Sequence, residues 1–312
     1  SAPLNPTTLQ APQVVTREEA LSRSDRIILD TPSLDGSIAL KGARFDDINL
    51  KRYRVELDPA SAEVTLLNPP AAPGGYYAVL GWEGAPGLPD ASSNWQAAGA
   101  STLTPDTPLV LNYTSPDGLQ FTREITVDEN YMFAVTDTVE NVGSLTQSIR
   151  PYGAVRRHGL PADLANFYIL HEGMIGVLDG KLLQKKYKDL QKGEAVNSIS
   201  TGGWLGITDK YWLTALVPSQ TEPVDAHYRL SRVNGQEIFE TRYDGAVRTL
   251  EPGQSLTYSS HVFAGAKRVS VLDDYMNTLG VPRFDDAVDW GNFWFLTKPF
   301  FWVLEFFHGW SA

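Results

Sequence analysis

Leu109-Val-Leu-Asn-Tyr-Thr-Ser-Pro-Asp-Gly-Leu-Gln-Phe-Thr-Arg-Glu-Ile-Thr-Val-Asp-Glu-Asn-Tyr-Met-Phe-Ala-Val-Thr-Asp-Thr-Val139 decides the fold class. Residues 109–114 and 119–127 alternate apolar and polar side chains, the period of a half-buried strand. Ser115-Pro-Asp-Gly118 supplies turn chemistry between them, and Asp128-Glu-Asn130 joins a third strand over 131–139. The same alternation appears upstream in Leu34-Asp-Gly-Ser-Ile-Ala-Leu40 and Ile48-Asn-Leu-Lys-Arg-Tyr-Arg-Val-Glu-Leu57. Downstream it recurs over 204–208, 212–217, 226–233 and 255–263. Pro and Gly fall mainly between these runs, and the stretches 68–75 and 84–108 read as long loops. No internal repeat is visible. Helical spacing enters only after Gly265: residues 269–279 place Val271, Leu272, Tyr275, Met276 and Leu279 on one face, with Gly280 and Pro282 as stop signals. Asp285 or Asp286 is a candidate N-cap for a second helix, and Pro299 suits the first position of a third. These features predict an all-β chain, a large antiparallel β-sandwich followed by short C-terminal helices. The expected organisation is a flexible linker over 1–24, the sandwich over 25–266, C-terminal helices over 267–298, and a clipped membrane-helix start over 299–312.

Composition narrows the function classes. The chain has 312 residues, 42% of them apolar, and a net charge of −11. That is enough for a sizeable core, and it argues against a nucleic-acid binder. There is no Cys, which excludes disulfides and thiol chemistry and is compatible with a periplasm. The lysines at 181, 185, 186, 188 and 192 read as a solvated face or hairpin edge. The first residues show no signal-peptide pattern, and no uninterrupted apolar run of ~18 residues marks a clean membrane span.

The chemistry-bearing residues form no constellation. His158, His171, His227, His261 and His308 lack metal-ligand spacing. The pairs Asp46-Asp47, Asp273-Asp274 and Asp285-Asp286 read as caps and turns, and Gly74-Gly75 and Gly202-Gly203 lack a phosphate-loop pattern. The expectation is a binding or scaffold module, not an enzyme, with no cofactor and no metal. The alternative is a sugar-binding or sugar-isomerising sandwich with His and Glu in a cleft.

The tail stands apart. Residues 290–312 hold four of the eight Trp and six of the thirteen Phe. Trp and Phe mixed with a few charges is the composition of a membrane–water interface. A helix here would keep Asp285, Asp286, Asp289 and Asn292 wet and cover Val288, Phe293, Phe295 and Leu296. The residues assigned to the bilayer are Trp290, Phe293, Trp294, Phe295, Leu296, Lys298, Phe300, Phe301 and Trp302. An aromatic tail that binds a partner protein instead of lipid remains the other reading.

Four stretches carry a family resemblance. They are Asp289-Trp-Gly-Asn-Phe-Trp-Phe-Leu-Thr-Lys-Pro-Phe-Phe-Trp-Val-Leu-Glu-Phe-Phe-His-Gly-Trp310, Gly202-Gly-Trp-Leu-Gly-Ile-Thr-Asp-Lys-Tyr-Trp-Leu-Thr-Ala-Leu-Val-Pro218, Phe263-Ala-Gly-Ala-Lys267 and His171-Glu-Gly-Met-Ile-Gly-Val-Leu-Asp-Gly180. Together with 27–57 they resemble the periplasmic domain of bacterial YidC-type membrane protein insertases, in an alphaproteobacterial form. The resemblance implies a β-supersandwich of mutarotase-like shape on the periplasmic face of the inner membrane. It implies an interfacial amphipathic helix over 285–296, leading into a membrane helix. Implied partners are the bilayer, Sec translocon auxiliary subunits and, through a membrane core this sequence does not contain, nascent membrane proteins.

Overall fold

The computed structural model describes residues 14–56, 58, 60–164 and 170–288. The strands are β1 (Arg26–Asp30), β2 (Leu34–Ala39), β3 (Arg44–Arg54), β4 (Glu63–Leu67), β5 (Tyr76–Glu83), β6 (Gln96–Ala98) and β7 (Thr102–Leu103). They continue with β8 (Leu109–Thr114), β9 (Leu119–Val127), β10 (Met132–Asn141), β11 (Gln147–His158), β12 (Gly173–Leu178), β13 (Lys181–Lys186) and β14 (Val196–Thr201). The last are β15 (Trp204–Thr208), β16 (Trp212–Val217), β17 (Pro223–Val233), β18 (Gln236–Asp244), β19 (Arg248–Leu250) and β20 (Ser255–Ala266). The helices are α1 (Arg17–Ser22), α2 (Tyr187–Gln191) and α3 (Val269–Leu279), followed by a 3-10 turn at Phe284–Ala287.

Two sheets pack face to face. One runs β14-β17-β18-β11-β5-β3-β2-β1-β7, with β4 and β19 added at its side, and has eleven strands. The other runs β13-β12-β15-β16-β20-β10-β9-β8-β6 and has nine. Pairing is antiparallel except between β1 and β7. The predicted hairpin is present: β8 and β9 pair from Leu109 opposite Ile125 to Thr114 opposite Gln120, and β9 pairs onward with β10. Strict alternation in β9 sends Leu119, Phe121, Arg123, Ile125 and Val127 inward. Cross-sheet contacts such as the edge-on rings of Phe45 and Phe133, and the Tyr76 hydroxyl donating to the Ile207 carbonyl, close the core. The fold class is therefore the expected one, an all-β antiparallel sandwich with short helices.

Several elements differ from the expectation. A short helix, α1, forms within the stretch read as a linker, capped by the Thr16 hydroxyl. The stretch 84–108, read as a loop, contains β6, β7 and the buried Trp95. The central strand β5 was not legible as a strand, because it is buried on both faces and shows no alternation. Asp46 and Asp47 sit inside β3 instead of at a cap or turn. A bulge opposite Ser37 and Ile38 lets both side chains find arginines: Arg26 and Arg44 for Asp46, Arg17 for Asp47. The lysine-rich stretch, read as a solvated face or hairpin edge, is both a strand and a helix: β13 is the outer strand of the nine-stranded sheet, where Lys side chains discourage further pairing, and α2 follows it.

Candidate functional site

Two regions hold the chain's concentrated chemistry: the non-core face of the eleven-stranded sheet, and the layer formed by α3 and the 3-10 turn. On the first, alternation in β11 sets Arg150, Tyr152, Arg156 and His158 outward, and β18 adds Glu240, Arg242 and Asp244 in register beside them. Arg150 binds Glu83 at 2.5 Å, and Arg242 bridges Glu83 at 2.7 Å and Asp244 at 2.6 Å. Arg156 meets Glu240 at 2.6 Å. The Arg242 guanidinium lies 4.2 Å from the Tyr152 ring centroid. His227 of β17 is buried between Glu240 at 3.6 Å and Asp244 at 3.9 Å.

The arginines and carboxylates of this lattice satisfy one another. Burial alone would raise Glu240. The neighbouring His227 and the Arg156 charge overcome it and hold the carboxyl at about 2. Glu83 is likewise pushed up by burial but brought below its ordinary value by Arg242 and Arg150. A general acid needs a carboxyl raised toward neutrality, and these are moved the other way. Burial and the Arg156 charge lower His158, which contacts the Tyr77 hydroxyl at 3.2 Å. His171 is buried with Nε2 2.8 Å from the Met174 carbonyl, and His261 lies in β20 with its pKa lowered by burial. His308 lies outside the described residues. No group of three or more potential metal ligands occurs among the described residues.

In the second region α3 ends as predicted, with Gly280 in the left-handed conformation. The Tyr275 hydroxyl donates to Asp128 at 2.5 Å, which ties the helix to the β9–β10 turn. Beyond it, Phe284 is fully buried, edge-on to Trp204 at 5.2 Å and to Phe263 at 5.3 Å. The indole N–H of Trp204 donates to the Pro282 carbonyl at 3.1 Å, and Arg283 donates to the Gly180 carbonyl at 2.9 Å. The expectation that Asp285 or Asp286 caps a helix is corrected. Arg283, left-handed at φ 53°, precedes the turn with no side-chain cap, and both aspartates lie inside it. Val288 is extended, so the turn does not continue as a helix through that residue. Its unforeseen anchors, Phe284 and Trp204, had one sequence signal: Trp204 follows two glycines. Gly203 has φ +103°, and a Cβ there would stand 2.1 Å from the Val177 carbonyl oxygen.

Trp290, Phe293, Trp294, Phe295, Leu296, Lys298, Phe300, Phe301 and Trp302 all lie outside the described residues. No helix among the described residues is long and apolar enough to cross a membrane.

The fold class these elements define is a two-sheet β-sandwich with an ion-paired outer sheet face and a C-terminal layer packed on buried rings. The chain belongs to the YidC periplasmic domain family, whose model matches residues 26–303. It is 43% identical over 302 residues to the membrane protein insertase YidC of Rhizobium johnstonii, covering 96% of this chain and 50% of that protein. The insertase of Methylobacterium nodulans is 44% identical over 306 residues (94% and 50%), and that of Caulobacter vibrioides 42% over 320 (96% and 52%). The chain thus spans about half the length of these relatives. Among solved structures, it resembles the Slr1438 protein of Synechocystis sp. PCC 6803 (TM-score 0.47, 10% identity, 78% of this chain and 97% of that one). It also resembles a galactose mutarotase-like protein of Lactobacillus casei (TM-score 0.47, 11% identity, 77% and 100%).

Proposed function

We propose that this chain is the periplasmic portion of an inner-membrane insertase that assists insertion and folding of membrane proteins, alone or beside the Sec translocon. In this reading the sandwich docks partners, Sec auxiliary subunits among them, and positions the membrane core. The aromatic residues from Trp290 to Trp302 meet the bilayer on its periplasmic face. Nascent membrane proteins engage parts of the whole protein that this chain does not span. The observation that carries the reading is the reach of the family match, which runs through the sandwich and on to residue 303. The fixed exit at Val288 supports it, because the buried Phe284 hands the chain to the tail from a set position. Catalysis of sugar chemistry gains no support, since the sheet-face carboxylates are clamped by arginine.

Liposome flotation tests the membrane contact. The chain should float with phospholipid vesicles, with a blue shift of Trp fluorescence, and the chain lacking 290–312 should not. Equal flotation of both would reject the assignment, and a blue shift with a partner protein but not with lipid would transfer the tail to that partner.

A further inference from the structure

The terminal strand of a sheet offers unpaired backbone groups to other chains unless something blunts it. The eleven-stranded sheet ends in β14 and β7, and the nine-stranded sheet in β13 and β6. Strand β7 has two residues and β6 has three, too short to template a partner. Strand β13 carries Lys181, Lys185 and Lys186. Strand β14 has none of these devices. Its six residues, Val196-Asn-Ser-Ile-Ser-Thr201, include no charge and no Pro, and they pair with β17 in unbroken register. No described strand pairs with its other side.

Apolar residues stand on both faces of this edge. Val196, Ser198 and Ser200 turn toward the nine-stranded sheet, where the Ser200 hydroxyl accepts from the Asp179 backbone N–H at 2.8 Å. Val196 is half-buried against the core there, as are Leu182 and Leu183 of β13. The Tyr228 hydroxyl of β17 donates to the Leu183 carbonyl at 3.2 Å, so β13 and β14 border the same side of the sandwich. Asn197, Ile199 and Thr201 turn outward. Ile199 is 70% exposed, more than any other large apolar side chain among the described residues. Its register partner on β17 is the exposed Asp225, and next in line is Asp244 of β18. Arg242 holds Asp244, whereas no described basic group holds Asp225.

We propose that β14 is a strand-addition site for an extended, basic segment of another protein, which pairs along its main chain and sets an apolar residue beside Ile199. The uncharged edge supplies the ladder, Ile199 and Val196 supply apolar contacts on alternate faces, and Asp225 favours Lys or Arg in the segment. A second copy of this chain fits less well, because pairing would join two molecules of net charge −11. The inference rests on the reading that the sandwich docks partners, and it gives that docking a place and a chemistry.

The test titrates the whole chain with the end-blocked peptide Lys-Ser-Ile-Thr-Lys-Val, whose Ile faces Ile199 and whose Val faces Val196 in antiparallel register. Amide NMR shifts should move first in β14 and β17. N-methylation of the peptide backbone is the decisive arm. Methylating one alternate set of residues should weaken binding roughly ten-fold or more, and methylating the other set should leave it within about two-fold, because only one edge of an added strand meets β14. I199K should weaken the parent peptide about ten-fold with an unchanged Tm. D225N should weaken the parent peptide but not one with both Lys replaced by Ser. Equal effects of the two methylated sets, or unchanged binding to I199K, overturn the proposal. So does a dimer in sedimentation that I199K abolishes, which would give the edge to a second copy. The docking reading is tested apart, by retention of purified Sec auxiliary subunits on the chain. Retention without peptide binding overturns the edge and leaves docking standing, whereas peptide binding without retention supports the edge and rejects Sec docking.

Discussion

Arg123 and Asp137, register partners on β9 and β10, meet through two parallel 2.7 Å hydrogen bonds in the centre of the sandwich. Arg123 is fully buried. Its third nitrogen, Nη1, donates to the Leu80 carbonyl of the opposite sheet at 2.9 Å, and the Trp82 indole donates to Asp137 at 2.8 Å. The guanidinium carbon also lies 4.9 Å from the Trp95 ring centroid. One ion pair therefore stitches both sheets and the 84–108 stretch together. A buried pair of this kind is costly to break and cheap to replace. R123L and D137L singly should each lose about 3–5 kcal/mol in urea denaturation, while R123L/D137L should recover most of that loss. Additive losses in the double variant would show that the pair does not act as a unit.

The sheet-face lattice sets an acid limit. Glu240 is held at about 2 in the folded chain, against an ordinary value of 4.5. A carboxyl depressed by folding stabilises at pH above its unfolded value, and that contribution is lost as pH falls from about 4.5 to about 2. Urea midpoints measured from pH 6 down to pH 2.5 should fall steeply across this window, and E240Q should flatten part of the fall. Removing the partner with R156M should lower stability at pH 6, and the fall should be smaller and end at a higher pH. An E240Q profile parallel to that of the unchanged chain would contradict this account.

The exit from the sandwich depends on one ring. F284A should cost about 3–5 kcal/mol, because Trp204, Phe263 and Tyr275 cannot all close on the cavity. Hydrogen exchange should rise first in α3 and the following turn. The smaller change Y275F, which loses a hydrogen bond to the Asp128 carboxylate, should cost about 1.5–3 kcal/mol.

Two glycines of similar backbone conformation should respond differently. Gly180 has φ +70° with open space around it, and G180A should cost about 1 kcal/mol. Gly203 has φ +103° with a carbonyl oxygen in the way, so G203A should exceed that cost several-fold and disturb Trp204 fluorescence.

The sequence made the half-buried strands readable, β9 above all. Of the strands covered on both faces, β15 and β16 still fall where their apolar runs begin and end, and α3 stops at Gly280 as its spacing indicated. Alternation in β9 and β10 already held Arg123 and Asp137 in phase with the core residues, a signal of the central ion pair that periodicity alone leaves uninterpreted. β5 shows no alternation, because both its faces are covered, and it follows directly on the Pro- and Gly-rich stretch 68–75. β11 and β18 were opaque because their outward residues form ion pairs with one another, so that charged and half-buried positions coincide. Composition made the Trp and Phe of the tail legible as a candidate, and those residues lie outside the described ones. The carboxylate clamps and the Phe284 anchor were not legible, since they arise from residues brought together over separations of dozens of positions.

The buried Phe284 has a mechanical meaning. Only Asp289 separates Val288 from Trp290, so at most about 7 Å of extended chain lies between the locked turn and the first tail aromatic. An anchor at Trp290 would leave the sandwich almost no leash. Its reorientation would be coupled to that of the anchor, and a pull on the tail would load the Trp204 strand directly, as a lever loads its hinge pin.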